Sequence, residues 1–289
     1  MKARAFAYRR PESIEDAVGL LAQYGDEARV LAGGQSLMPM MNLRLASPQM
    51  VVDINRIAEL RGVDRRPGEP GIRIGALVRH AEAARSDILH DAVPLIGLAM
   101  PHIAHPAIRN RGTVCGSLAL ADPAAELPAC AIVLRATLVL SSVAGTREVP
   151  AERFFRGLFD TDRHADEMIV ALRIPPTPAD QVCGFDEFVR RRGDWAMVGV
   201  AATASRADGV LRGLRLVVFG TEPAPFLSRA AARFVEGEAS TVALARQVGE
   251  AVAAEIPAEN CLAEFVPARR RQAAYVVSQV LEQMVADHV

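Results

Sequence analysis

The chain has 289 residues, 51% of them hydrophobic, with 33 basic and 34 acidic side chains and a formal net charge of −1. That length allows two or three modest domains, and the balanced charge gives no electrostatic footing for nucleic acid or an anionic membrane. No apolar run approaches the ~18 residues of a membrane span, and "MKARAFAYRR" lacks the apolar centre of a signal peptide, which predicts a cytoplasmic protein.

The opening segment reads as a strand. "PESIEDAVGLLAQYG" then predicts a helix capped by Ser13, with Asp16 in its first turn and Ile14, Val18, Leu20 and Leu21 on its apolar face. Gly25 supplies a stop. "ARVLA" reads as a short buried strand ending in the pair Gly33-Gly34, after which Ser36 can cap a short helix through the methionines. "QMVVDINRI" is a further buried strand that ends near Asp53. Helix and strand thus alternate around the glycines as in a small α/β unit.

A second unit begins after the turn-rich "RRPGEPG": strand "GIRIGALV", helices "LVRHAEAARSD" and "AVPLIGLAM", then a glycine-punctuated loop "RNRGTVCGS" leading to a helix and strand. "EMIVALRIP" adds a strand, and "PPTP" at Pro175 to Pro178 is the clearest linker. Beyond it, "VGVAATASRADGVLRGLRLVVFG" predicts a hairpin turning at Asp208-Gly209. Helical segments "FLSRAAARFVEG", "ASTVALARQVGEAVAAE" and "ARRRQAAYVVSQVLEQMVADHV" complete the chain.

Familiar catalytic patterns are missing: no GxGxxG, GxxxxGK, HExxH or GxSxG occurs. Cys115, Cys130, Cys183 and Cys261 form no CxxC-type cluster, so they read as reduced, mostly buried thiols. His102 and His105 have a spacing known among metal ligands but no third partner nearby, and read as loop histidines. The two glycine stretches say more as a pair. "AGGQS" (Ala32 to Ser36) and "TVCGS" (Thr113 to Ser117) can each expose successive backbone N–H groups beside a serine, a cradle for anionic oxygens. Taken singly, each is more often a tight turn at a strand end.

"AGGQSLMPMMNLRLASPQMVVDINRI" and "PHIAHPAIRNRGTVCGSLALADPAAELPA" resemble the two signature stretches of the flavin-binding medium subunits of molybdenum hydroxylases, a group that includes carbon monoxide dehydrogenase and bacterial dehydrogenases of N-heterocycles. "RRRGDWAMVGVA" from Arg190 is a third match, and the resemblance runs the length of the chain. It implies an α+β chain: a two-subdomain PCMH-type FAD-binding fold (1–57 and 58–176), then a C-terminal domain of antiparallel sheet and helices (180–289). FAD would lie between the subdomains. By resemblance Val30, Leu31, Ala32, Gly33, Gly34, Gln35, Ser36 and Leu37 wrap its diphosphate, with Thr113, Val114, Cys115, Gly116 and Ser117 opposite. Ile103 would pack along the flavin, Asp122 and Glu126 would make polar contacts, Ile169 would lie near the cofactor, and Trp195 would face the isoalloxazine ring.

Three positions depart from the family pattern: Gln35 replaces a common histidine, Cys115 a usual glycine, and Glu187 a lysine that many relatives carry near the ring. An acid at that place disfavours negative charge on the flavin. The implied function is electron transfer. A large molybdopterin-binding subunit would oxidise substrate, a small subunit with two [2Fe-2S] clusters would relay electrons, and FAD here would pass them to an external acceptor, in a dimer of heterotrimers. The missing cysteine clusters agree with this division of labour, and no acid–base residue is required of this chain. Two rivals stand beside it: a self-contained FAD oxidase, and an assembly module that has lost its cofactor. The sequence names neither substrate nor acceptor.

Overall fold

The computed structural model describes residues 2–65, 68, 70–207, 210–234, 241–257 and 265–286. Helix Ile14–Tyr24 starts where the Ser13 hydroxyl accepts the Asp16 amide at 3.1 Å, and stops at Gly25, whose φ of +50° leaves the helical path. Ala17, Val18 and Leu21 are its buried face, with Ile14 and Leu20 partly covered. The helix connects two strands of a three-stranded parallel sheet, in which Met50–Asp53 lies between Ala7–Arg9 and Ala28–Leu31. Parallel pairing needs such a crossover. The N-terminal strand is only three residues long and exposed throughout, shorter than its sequence suggests.

The second sheet has five strands in the order Val63–Asp64, Ile72–Gly75, Met168–Ile174, Thr137–Ser142, Gly145–Pro150, each antiparallel to its neighbour. This unit therefore differs from the α/β alternation of the first, and the chain as a whole is α+β. Its helices are short. The one expected through "LVRHAEAARSD" spans only His80–Ala83, and Pro94–Ala99 and Glu126–Val133 pack against each other. Glu126–Val133 is buried along its entire length, which explains why "ELPACAIV" offers no polar face.

The third sheet runs Gln181–Phe188, Val198–Ala207, Val210–Phe219 and Phe226–Leu227, all antiparallel. The expected hairpin joins its two longest strands; the turn at Asp208-Gly209 lies outside the described residues, as does Cys261. Phe226 and Leu227, read from sequence as the start of a helix, add the edge strand, and that helix begins at Arg229. Helices Val242–Ala254 and Val266–Ala286 cover one face of this sheet and make a separate core with it. The other face joins the interior of the first two units: Phe185, Ala201, Val217 and Phe219 belong to the same continuous cluster as Leu127, Cys130 and Leu138. Arg215 of the third sheet donates to the Ile132 and Val133 carbonyls at 3.0 and 3.1 Å, closing the C-terminal end of the buried helix Glu126–Val133. No helix among the described residues is long and apolar enough to cross a membrane.

Candidate functional site

The glycine pair sits at the C-terminal end of strand Ala28–Leu31, and each glycine has a different reason. A methyl group on Gly33 would lie 2.4 Å from the Arg111 carbonyl oxygen and 2.8 Å from the Gly112 Cα, so the two glycine stretches touch backbone to backbone. Gly34 has φ +72°, a left-handed turn that L side chains rarely adopt. The turn leaves the N–H groups of Gly33, Gly34, Gln35, Ser36 and Leu37 with no protein acceptor among the described residues. Ser36 makes no side-chain cap to helix Leu37–Asn42, contrary to the sequence expectation, because its own backbone is already helical at φ −104° and ψ −46°. The Gln35 amide folds back onto the Gly33 carbonyl at 3.0 Å.

Gly33, Gly34 and Gln35 line a cavity of about 570 Å³ whose wall also holds Met38, Pro39, Asn42, Asp53, Asn55 and four arginines: Arg10, Arg61, Arg79 and Arg111. Asn55 braces it, its Nδ2 donating to the Ala32 carbonyl at 2.9 Å and to Asp53 Oδ1 at 2.6 Å. Asp53 is the one carboxylate of the wall. Burial raises its pKa, but hydrogen bonds from Tyr8 and Asn55 and the Arg10 charge outweigh that and hold it below the ordinary carboxylate range. The arginines were not singled out from the sequence, where they lie scattered among 33 basic residues; only the fold gathers them.

The second stretch differs from its sequence reading. "TVCGS" is no loop: Thr113 caps helix Val114–Leu120, accepting the Gly116 amide at 3.0 Å, and the Ser117 amide bonds the Thr113 carbonyl. The Val114 amide pairs with Val78. Three of the donors expected for a phosphate are therefore engaged inside the chain, and Thr113, Val114 and Cys115 are buried. A methyl on Gly116 would meet Thr113 Oγ1 at 2.6 Å, so this glycine serves the cap. The Cys115 thiol points inward toward the Ile74 carbonyl, and burial pushes its pKa up to about 12. It is an inert core group.

The remaining sequence-derived positions gather at the junction with the third sheet, except Ile169, which is buried in the central strand of the five-stranded sheet opposite Leu140. Ile103 is buried and its carbonyl accepts Arg109 at 2.7 Å. Asp122 accepts the Ala124 amide at 2.9 Å and shapes the turn into the buried helix. Trp195, the sole tryptophan, is 73% exposed and lies outside the core. Its loop is seated by Gly193, where a methyl would lie 2.9 Å from the Ala104 carbonyl.

His102 is no ordinary loop histidine. Its Nδ1 lies 3.3 Å from Glu187 Oε1, and its ring meets Phe185 edge-on at 5.0 Å. The Glu187 hydrogen bond is the main cause of its raised pKa. Glu187 has a side chain only 2% exposed, and its Oε2 is buried with no hydrogen-bond partner among the described residues. Glu126 lies close enough to feel both; burial, reinforced by the Glu187 charge, raises its pKa to about 7. No group of three or more metal-ligating side chains occurs among the described residues.

A turn of unpaired amides in an arginine-lined cavity suits an anionic ligand, and comparison with known proteins names the class. Residues 4–177 match the family model described as the FAD binding domain in molybdopterin dehydrogenase, and 184–283 match the CO dehydrogenase flavoprotein C-terminal domain. The chain belongs to the family of FAD-binding medium subunits of molybdenum hydroxylases, and so to the oxidoreductase subunits. It is 40% identical over 221 residues to 6-hydroxypseudooxynicotine dehydrogenase complex subunit alpha of Paenarthrobacter nicotinovorans, covering 76% of this chain and 74% of that one. It is 38% identical over 218 residues to the carbon monoxide dehydrogenase medium chain of Hydrogenophaga pseudoflava, covering 75% of each. The fold superposes on a chain of quinoline 2-oxidoreductase from Pseudomonas putida 86 with a TM-score of 0.92 and 33% identity, over 99% of this chain and 98% of that one.

Proposed function

We propose that this chain is the electron-transfer flavoprotein subunit of a cytoplasmic molybdenum hydroxylase, taking electrons from [2Fe-2S] clusters on a small partner and delivering them from FAD to an external acceptor. The observation that carries the reading is the turn of Gly33, Gly34 and Gln35, whose amides have no acceptor among the described residues and which lines an arginine-rich cavity, in a chain whose family binds FAD. Backbone donors in such a turn suit the two negative charges of a dinucleotide diphosphate. Val30 to Leu37 would hold that group; Thr113 to Ser117, with Ile169, would form the packed wall behind it. Ile103, Asp122, Glu126 and Trp195 would flank the flavin end. Bound FAD supplies the redox chemistry, and the chain supplies position and local charge. A large molybdopterin-binding subunit would oxidise the substrate, and a dimer of heterotrimers would complete the assembly.

Purification of the chain alone and with its candidate partners tests this. The isolated chain should retain FAD non-covalently and accept electrons from an artificial reductant, yet show no substrate-dependent flavin reduction until the partners are added. Reduction by substrate in the isolated chain would promote the self-contained oxidase, and a flavin-free chain that still assembles would promote the assembly module.

Trp195 gives an internal probe. As the sole tryptophan, 73% exposed, it should emit strongly in apoprotein and be quenched when FAD binds against it. Equal emission from folded apo- and holoprotein would remove Trp195 from the flavin site.

A further inference from the structure

The N-terminal strand Ala7–Arg9 is exposed along its whole length, and so is most of the chain that leads into it. It is an edge strand, paired only with Met50–Asp53. The two strands run parallel, so residues 2–6 and 43–49 enter the sheet side by side, and Arg44 Nε donates to the Lys2 carbonyl at 3.4 Å. The cavity lies at the other end of the same sheet, where Arg10, Leu31 and Asp53 line it. Helix Leu37–Asn42 closes at the entry end, with the Leu45 and Arg44 amides bonded to the Met40 and Met41 carbonyls at 2.8 and 3.0 Å. Glycine ordinarily takes the left-handed position of such a closure; here Arg44 takes it, at φ +62°. A backbone conformation costly to an L side chain is thus kept, and Leu43 and Leu45 stand 55% and 77% exposed at the end of the sheet that also carries Phe6, 37% exposed. Lys2, Arg4 and Arg44 share that end, all exposed, none with a carboxylate within ion-pair distance among the described residues. Glu27, which lies nearby, already accepts the Gln49 amide at 2.6 Å. Exposed apolar residues scattered singly need no account. An apolar centre beside uncompensated charge of one sign has the make-up of a protein interface, and the sign specifies the partner.

We propose that this end of the first sheet, Phe6, Leu43 and Leu45 with Lys2, Arg4 and Arg44, is a docking face for a different chain, whose contact surface is apolar at its centre and acidic at its rim. A second copy of this chain cannot cover it symmetrically, because a two-fold axis would set the cations against themselves. The proposal rests on the subunit reading above and not on the flavin, since none of these six residues lines the cavity.

The test mixes the full chain with each candidate partner, the molybdopterin-binding and the [2Fe-2S] subunit, and measures association by analytical ultracentrifugation. L43N/L45N and K2Q/R4Q change exposed side chains only, so their urea midpoints and FAD content should match wild type. In L43N/L45N, affinity for one partner should fall by about tenfold or more, the scale of truncating a central contact. Wild-type association should weaken with salt, and that dependence should flatten in K2Q/R4Q. Amide exchange over residues 2–6 and 43–46 should slow in the wild-type complex. Wild-type affinity in both variants, with unchanged exchange, overturns the docking face and leaves the subunit reading standing. Self-association of the isolated chain that L43N/L45N abolishes gives the face to a second copy and overturns the proposal too. A wild-type chain that binds neither partner overturns the subunit reading and this face with it.

Discussion

Gly33→Val should yield a chain that folds less stably and retains little or no FAD. The branched side chain has to share space with the Arg111 carbonyl and Gly112 Cα, backbone atoms 2.4 and 2.8 Å from its first carbon, which cannot rotate aside as a side-chain tip can. Either the turn or the segment before Thr113 must move. Overpacking of this kind costs about 1–3 kcal/mol, and the shift misaims the Gly33, Gly34 and Gln35 amides together. Flavin content should fall by more than about tenfold, equivalent to about 1.4 kcal/mol of binding. Gly97→Ala is the control: it lies in helix Pro94–Ala99 with nothing within 4 Å of the added carbon, and alanine there should be neutral or stabilising. Full flavin content in a folded Gly33→Val chain, measured by absorbance after desalting, would detach the turn from the cofactor.

The second large effect concerns pH. Glu126 has a folded pKa of about 7 against an ordinary 4.5. A carboxyl with a raised pKa contributes fully below about pH 4.5 and loses its contribution as pH rises through 7, because the folded state then has to bury a charge. The difference amounts to something on the order of 3 kcal/mol. His102 acts in the same sense. Its pKa is raised by Glu187, so its pairing is complete below about pH 6.5 and is lost as pH climbs through the raised value. Asp122, Asp186, Glu187 and Cys130 are the other titratable groups that face this pair. Apoprotein should therefore lose stability between pH 5 and pH 8 relative to Glu126→Gln, whose neutral amide abolishes the Glu126 contribution. Urea midpoints for both proteins across that range measure it, and parallel profiles would refute the buried-carboxyl account.

Local chemistry made much of the fold legible. Ser13, Gly25 and the spacing of Val18 and Leu21 define the first helix without help from elsewhere in the chain, and "MVVD" is apolar enough to announce a buried strand. The glycine pair was legible as a place of close approach, but what approaches Gly33 is Arg111–Gly112, more than seventy residues away in sequence. Contacts of that separation leave no periodic trace. For the same reason Arg61, Arg79 and Arg111 read as surface charge until the chain folds. "TVCGS" misled because threonine at a helix N-cap and a glycine-rich phosphate loop share residue types, and the distinction rests on where the Gly116 amide points. His102 reads as an ordinary loop histidine in the sequence because its partner, Glu187, comes from a strand beyond the linker.

That linker bears on movement. Two units joined by a proline-rich tether are free to swing unless their contact is large and apolar, and here the contact is the interior itself: Phe185, Val217 and Phe219 share one hydrophobic cluster with Leu127 and Cys130. Exposing any one large side chain there costs about 1.5–3 kcal/mol, and rotating the third sheet away would expose several while stripping Arg215 from the Ile132 and Val133 carbonyls. The C-terminal unit is therefore no shuttle arm. On the electron-transfer reading proposed above, the path through this chain would be a fixed span, its length set once, at folding.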